Sequence, residues 1–308
     1  MFAHVSVLAR EVIDFLSPTP GRHYVDGTLG GGGHCEALLL ASAPDGRVLG
    51  LDRDDQALAA ASERLRGFGS RFVARQASFA DAPEVLAEIG WDKVDGVILD
   101  LGISSYQIDS PERGFSFRAK GRLDMRMDRR QKLDAEWIVN EYGAAELEKI
   151  FRQFGEEPQA RRIASAIISA RAEQRITTTD ALADLVARVK AGRRRHHHPG
   201  TQVFQALRIA VNGELAELER FLAQGYENLR PQGRMAIISF HSLEDRLVKV
   251  AFRKWSRSCL CPPRTMVCRC GWSQKVKPVT KKPVLPSALE IESNPRARSA
   301  KLRVVERI

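Results

Sequence analysis

Apolar and polar positions along the first hundred residues fall into short apolar runs separated by helical spacings. His23–Asp26 predicts a short strand that runs into glycines, and a helix begins at residues 33–40. Arg47–Asp52 predicts a second strand, followed by a helix over 56–65 with Asp54 and Asp55 as N-cap candidates. Residues 71–75 predict a third strand, and Val94–Asp100, rich in β-branched side chains, a fourth. Residues 1–16 read as a short amphipathic helix, because Glu11 and Asp14 interrupt the apolar pattern that a signal peptide would need. Strands alternating with helices predict a parallel sheet covered by helices, with ligands bound at the carboxyl ends of the strands.

The rhythm then stops. Residues 109–199 show helical spacing at 135–154, 159–174 and 179–190, the last capped by Thr177-Thr-Thr-Asp180, and close on the basic loop Arg193-Arg-Arg-His-His-His-Pro199. A long helix over 205–228 precedes the return of strand chemistry at 234–240. The pattern predicts an α/β domain, residues 1–108 and 201–308, interrupted by an all-helical insertion at 109–200.

Charge changes the picture at one end. Net charge is +10, yet residues 246–308 carry 16 Lys or Arg against three Glu, whereas residues 1–245 carry 32 basic and 35 acidic side chains. A positive surface of this kind binds polyanions through counterion release, which points to a nucleic acid partner. No apolar run reaches the roughly 18 residues needed to cross a bilayer, so neither a transmembrane helix nor a membrane partner is expected. Five cysteines, four of them clustered, are too few for a disulfide framework and place the chain in a reducing cytoplasm.

The candidate chemistry lies in Val25-Asp-Gly-Thr-Leu-Gly-Gly-Gly-Gly-His34, between a strand and a helix. Glycines let the backbone approach a ligand and take positive φ without steric cost. Asp52 ends the next strand, where a carboxylate commonly holds ribose hydroxyls. The loop lacks the G-x-G-x-x-G spacing of a pyrophosphate clamp, which favours a nucleoside cofactor without a diphosphate, such as S-adenosylmethionine, over NAD. The fourth strand delivers Asp100-Leu-Gly-Ile-Ser-Ser-Tyr-Gln107 to the same sheet edge.

Eight segments together resemble the MraW family of cytosine-N4 rRNA methyltransferases. They are Asp26-Gly-Thr-Leu-Gly-Gly-Gly-Gly-His34, Leu51-Asp-Arg-Asp54, Leu99-Asp-Leu-Gly-Ile-Ser-Ser105 and Glu112-Arg-Gly-Phe-Ser-Phe117, then Leu123-Asp-Met-Arg-Met-Asp128, Phe204-Gln-Ala-Leu-Arg-Ile209, Ile237-Ile-Ser-Phe-His-Ser-Leu-Glu-Asp245 and Asn294-Pro-Arg-Ala-Arg-Ser299. They run in family order across nearly the whole chain. The resemblance implies a Rossmann-like fold and methylation of a cytidine N4 amine in the decoding region of 16S rRNA, not DNA, with S-adenosylmethionine as donor. It carries cofactor contacts onto Gly32, Gly33, His34, Asp52, Phe79, Asp100 and Gln107. Gly31 stands where the family often has Arg, Tyr106 replaces a Pro, and Gly200-Thr-Gln-Val203 is a looser form of Ala-Thr-Arg-Thr. Asp100, Asp124, Ser239 and His241 are candidates for orienting the target amine, with ion pairing to Arg122, Arg126 or Arg129 the plainer role for Asp124 and Asp128. Two other readings stand beside this one: an NAD-dependent dehydrogenase, and a non-catalytic RNA-binding assembly factor.

Cys259-Leu-Cys261 and Cys268-Arg-Cys270 form C-x-C–x6–C-x-C, which could close a zinc knuckle or stand as four reduced thiols. The sequence by itself assigns no metal.

Overall fold

The computed structural model describes residues 6–191, 198–263, 265 and 267–308, apart from the Ser105 side chain. The loop 193–198 therefore lies outside the described residues except for His198. The chain divides into two compact units, one built from Met1–Gly102 with Ala216–Ile308, the other from Ile103–Leu215.

The first unit is a seven-stranded sheet in the order β3-β2-β1-β4-β5-β7-β6. Its strands are β1 His23–Asp26, β2 Arg47–Asp52, β3 Phe72–Gln76, β4 Val94–Asp100, β5 Leu229–Ser239, β6 Val276–Pro278 and β7 Lys301–Arg307. β1 to β5 are parallel, and β7 pairs antiparallel with β5 and β6. Alternation along the strands sorts side chains to two faces. Val25, Leu49, Val97, Leu99, Ile237 and Val305 pack into one apolar layer, and Tyr24, Val48, Ile98, Ile238, Leu302 and Val304 into the other. Both faces are buried, so the strands read as continuous apolar runs. The chain winds outward from β1 to β3, then returns to place β4 on the other side of β1. Where that order reverses, the loops after two adjacent parallel strands diverge and leave a crevice.

The strand β7, with β6 beside it, lies in the basic segment, where the sequence pattern predicted no strand. Lys301 and Arg303 there turn to the opposite side, where both pair with Asp245, while Leu302 and Val304 are fully buried.

The second unit is helical, with Ala135–Glu141, Ala144–Gly155, Ala160–Glu173, Thr179–Val189 and Thr201–Asn212 around a core that includes Leu147, Phe151, Ile163, Leu182, Val186 and Leu207. Two predicted helices are each divided. The stretch 135–154 breaks at Tyr142-Gly143, where Tyr142 is extended and the Gly143 amide donates to Glu146 Oε2 at 2.7 Å, starting a new helix. The stretch 205–228 breaks at Gly213, whose φ of 63° ends Thr201–Asn212 before Glu214–Gln224 begins. That break marks the edge of the unit. Residues 103–108 and 201–215 fall in the helical unit, whereas the sequence pattern gave them to the α/β domain. No helix among the described residues is long and apolar enough to cross a membrane.

Candidate cofactor site at the strand ends

Three strands of the first unit end in aspartate: β1 in Asp26, β2 in Asp52 and β4 in Asp100. Because these strands are parallel, all three carboxylates come to one edge of the sheet, and Asp26 and Asp100 flank the point where strand order reverses.

The glycine loop is threaded between them. Gly27 donates its amide to Ile98 O at 2.9 Å. A Cβ there would stand 2.4 Å from Leu99 Cδ2 and 2.8 Å from Phe79 Cβ, so only glycine fits. Leu29 bonds back to Leu51 O at 2.8 Å. Gly30 and Gly32 then take φ of 49° and 79°, and Gly32 caps the helix Gly33–Ala41. Gly30 N donates to Asp52 Oδ2 at 2.8 Å and Asp54 N to Asp52 Oδ1 at 2.9 Å, so Asp52 locks the loop to the end of β2.

The electrostatics are unusual for an apolar sheet edge. Burial pushes the Asp52 carboxyl up to about 6, against the backbone hydrogen bonds that favour its charge. Burial likewise pushes Asp26 up to about 6; His34 opposes this, while Asp100 and Asp52 add to it. Asp26 Oδ1 accepts from Thr28 N at 3.2 Å, but Oδ2 is buried with no partner among the described residues. Thr28 Oγ1 in turn accepts from Asp100 N at 2.6 Å. His34 Nε2 lies 3.4 Å from Asp100 Oδ2, close enough for charge attraction but not for a well-formed hydrogen bond. Burial works against protonation of His34, and the charges of Asp100 and Asp26 outweigh it, holding the imidazole above its usual value. Among the described residues, neither His34 nitrogen nor Asp100 Oδ1 has a hydrogen-bond partner.

The structure thus gathers Gly32, Gly33, His34, Asp52 and Asp100 at one edge and adds Asp26 and Thr28, to which the sequence reading gave no role. The signal for Asp26 was an acid ending a buried strand; Thr28, in the loop after it, carried none. Phe79 lies beside them in the core, edge-to-face with Phe221 at 5.6 Å. Gln107 lies in the second unit, where its Oε1 accepts from Ser104 N at 3.0 Å. Asp124, also in that unit, is held by Arg126 through Nε at 2.7 Å and Nη2 at 2.8 Å. Burial would raise the Asp124 carboxyl, but the Arg126 hydrogen bonds prevail and hold it below the usual range. Asp128 pairs in the same way with Arg130 rather than Arg129. His241 follows β5 and caps the helix Ser242–Trp255, its Nδ1 accepting from Glu244 N at 3.4 Å and its Nε2 3.0 Å from Glu244 Oε1.

The family model of the MraW methylases matches residues 1–308, the whole chain. This chain belongs to the MraW methylase family. Among its relatives is the ribosomal RNA small subunit methyltransferase H of Trichlorobacter lovleyi, 52% identical over 100% of this chain and 99% of that one. The proteins of the same name from Geotalea daltonii and Thermomicrobium roseum are each 50% identical, over 100% and 99% of this chain and 99% and 94% of their own. Membership in a methylase family sets aside the dehydrogenase reading.

An MraW methylase takes its methyl group from S-adenosylmethionine, which presents a ribose diol, a sulfonium and an ammonium. The strand-end residues fit that set. Three carboxylates, two of them with a buried oxygen that no group among the described residues satisfies, suit a cationic ligand, and buried acceptors left open are costly unless something fills them.

Proposed function

We propose that this chain methylates the N4 amine of a cytidine in the decoding region of 16S rRNA, free or within the small ribosomal subunit. One observation carries the cofactor half of this reading: three strand-end carboxylates, Asp26, Asp52 and Asp100, meet at the sheet edge where strand order reverses, and Asp26 Oδ2 and Asp100 Oδ1 are buried with no partner among the described residues. Asp52 holds the ribose diol, Gly32, Gly33 and His34 line the approach to the amino-acid part, and Phe79 and Gln107 are further cofactor contacts. When bound, the cofactor supplies an electrophilic methyl group on a positively charged sulfur.

The substrate half rests on the names of the relatives and on charge. Residues 246–308 concentrate the excess of basic side chains, and residues 109–200 carry 19 Lys or Arg against 14 acids. Both segments are assigned to rRNA binding through its phosphates. A cytosine N4 lone pair is delocalised into the ring, so the protein's task is to turn the amine until that lone pair faces the methyl group. In-line placement supplies much of the rate. No strong base is needed first, because the methylated amine sheds its proton readily. Among the candidate acceptors, Asp124 is committed to Arg126, His241 to capping a helix, and buried Ser239 turns its hydroxyl to Lys301 O at 3.4 Å. Asp100 keeps an open buried oxygen, and we assign the orienting role to it.

The test is mass spectrometry of 16S rRNA nucleosides from cells with and without the gene, followed by methyl transfer in vitro to small subunits from the deletion strain. Loss and restoration of N4-methylated cytidine is the expected result. A methyl group restored on any other nucleoside overturns the N4 assignment but leaves rRNA methylation standing.

A further inference from the structure

Between the helix Ser242–Trp255 and β6 the chain makes an excursion of about twenty residues in which no described side chain is buried. Its base is closed by backbone and side chain: Lys275 N donates to Trp255 O at 2.8 Å, and Trp272 Nε1 donates to Arg257 O at 3.0 Å. Among the described residues, nothing apolar holds the part beyond. A segment this small, without a core, folds into one shape only if something staples it.

What gathers there is sulfur. The Sγ atoms of Cys259, Cys261, Cys268 and Cys270 all lie within 4.8 Å of one another. Cys268 stands 3.4 Å from Cys259, 3.9 Å from Cys261 and 3.5 Å from Cys270, and Cys259 is 3.7 Å from Cys270. Four sulfurs placed tetrahedrally at about 2.3 Å from one zinc ion stand about 3.8 Å apart. Disulfides would instead show two pairs near 2.05 Å; here one sulfur neighbours all three others. Two backbone amides also point at sulfur, Leu260 N at Cys270 Sγ, 3.4 Å, and Cys261 N at Cys259 Sγ, 3.3 Å. Such N–H···S contacts support a ligated thiolate. The remaining free cysteine, Cys35, is buried in the sheet core and takes no part.

We propose that Cys259, Cys261, Cys268 and Cys270 form a tetrathiolate zinc site that staples this excursion into a rigid basic knuckle. Four thiolates and one Zn²⁺ carry a net charge of −2, and the flanking Lys254, Arg257, Arg269 and Lys275 supply the compensating positive charge. Lys254 and Lys275 stand 5.6 and 5.3 Å from the Trp272 ring, which ties the two sides of the excursion. The site is structural, since all four positions are filled by protein and none is left for water or substrate.

The full chain, without a histidine tag and purified under reducing conditions, should carry one zinc per molecule by elemental mass spectrometry. Cys268→Ser and the pair Cys259→Ser with Cys261→Ser should each lose it, while Cys35→Ala keeps it. Anaerobic replacement by Co²⁺ should give the intense visible and sulfur-to-cobalt bands of a tetrahedral tetrathiolate. This readout uses the unaltered chain and so does not depend on a variant folding. Stripping the metal should speed tryptic cleavage after Arg257 and Arg269 at least tenfold. A folded, reduced chain that contains no zinc and shows no tetrahedral cobalt spectrum overturns the proposal, as does a disulfide among the four in protein kept from air.

Discussion

Asp52 shows how one side chain can serve structure and ligand together. Its two oxygens accept backbone amides, Gly30 N on Oδ2 and Asp54 N on Oδ1, and a carboxylate has further acceptor capacity to offer the ribose diol. Replacing it with alanine should weaken S-adenosylmethionine binding by about 1.5–3 kcal/mol, the range for hydrogen bonds to a charged group. Calorimetry on the folded variant checks this, and unchanged affinity would remove Asp52 from the site. Asp26 and Asp52 together imply a pH dependence. Both carboxyls are raised from 3.8 to about 6, so the folded chain without cofactor holds protons there that the unfolded chain has released. Their contribution to stability is full at low pH and is lost as pH rises through about 6. A cationic ligand needs them charged, so its binding should release protons near pH 6. Affinity should fall on going from pH 7 to pH 5, by up to about tenfold per unit for each carboxylate involved. Calorimetry at pH 6 in buffers of different ionisation enthalpy reads the proton release directly; proton uptake would contradict the assignment. The positions of Asp52 and Asp100 were legible in sequence because each ends a strand, whereas His34, in the helix after the glycine loop, was reached only through the family resemblance. Asp26 was not legible, because a terminal acid beside glycines looks like turn chemistry until the strand order is known.

Strands bounded by polar residues were the most legible elements: β1, β2 and β4 begin and end where periodicity placed them. Helices were joined where a short interruption was outweighed by continuing apolar spacing, as at Tyr142-Gly143 and Gly213, since backbone capping there leaves the period nearly in phase. The strand β7 was hidden by charge, its Lys and Arg positions reading as part of a basic tail. The ion pair of the helical unit was also beyond the sequence. Lys190 and Glu157 are fully buried against each other, and Lys190 Nζ also donates to Pro199 O at 2.8 Å. Lys190→Met should leave a buried carboxylate without its cation and cost about 3–5 kcal/mol, whereas adding Glu157→Leu should recover most of that loss. Urea unfolding of the single and double variants decides it; equal stability of the two would mean that water replaces the lost partner.

At the scale of the whole molecule, the two units have separate apolar cores, residues 115–211 forming one and the sheet layers the other two. An insertion with its own core should be removable. Replacing residues 104–214 with a short Gly/Ser linker should leave a sheet unit that binds S-adenosylmethionine within about tenfold, or 1.4 kcal/mol. That unit should fail to methylate rRNA. Cofactor calorimetry and methyl incorporation are the two measurements. Full activity would refute a recognition role for the insertion, and a loss of affinity well beyond tenfold in a folded unit would mean that residues of the insertion besides Gln107 hold the cofactor. The sheet order has a further consequence, for the nascent chain. β5 ends at Ser239 but its antiparallel neighbour β7 begins only at Lys301, so the outer edge of β5 has no partner while the intervening residues are synthesised. At roughly 5–20 residues per second that interval lasts several seconds. Throughout it the chain exposes Met235-Ala-Ile-Ile238, all completely buried in the finished fold, on an open strand edge. Translation speed and chaperone supply therefore bear on yield through one unpaired strand, whatever the stability of the completed sheet.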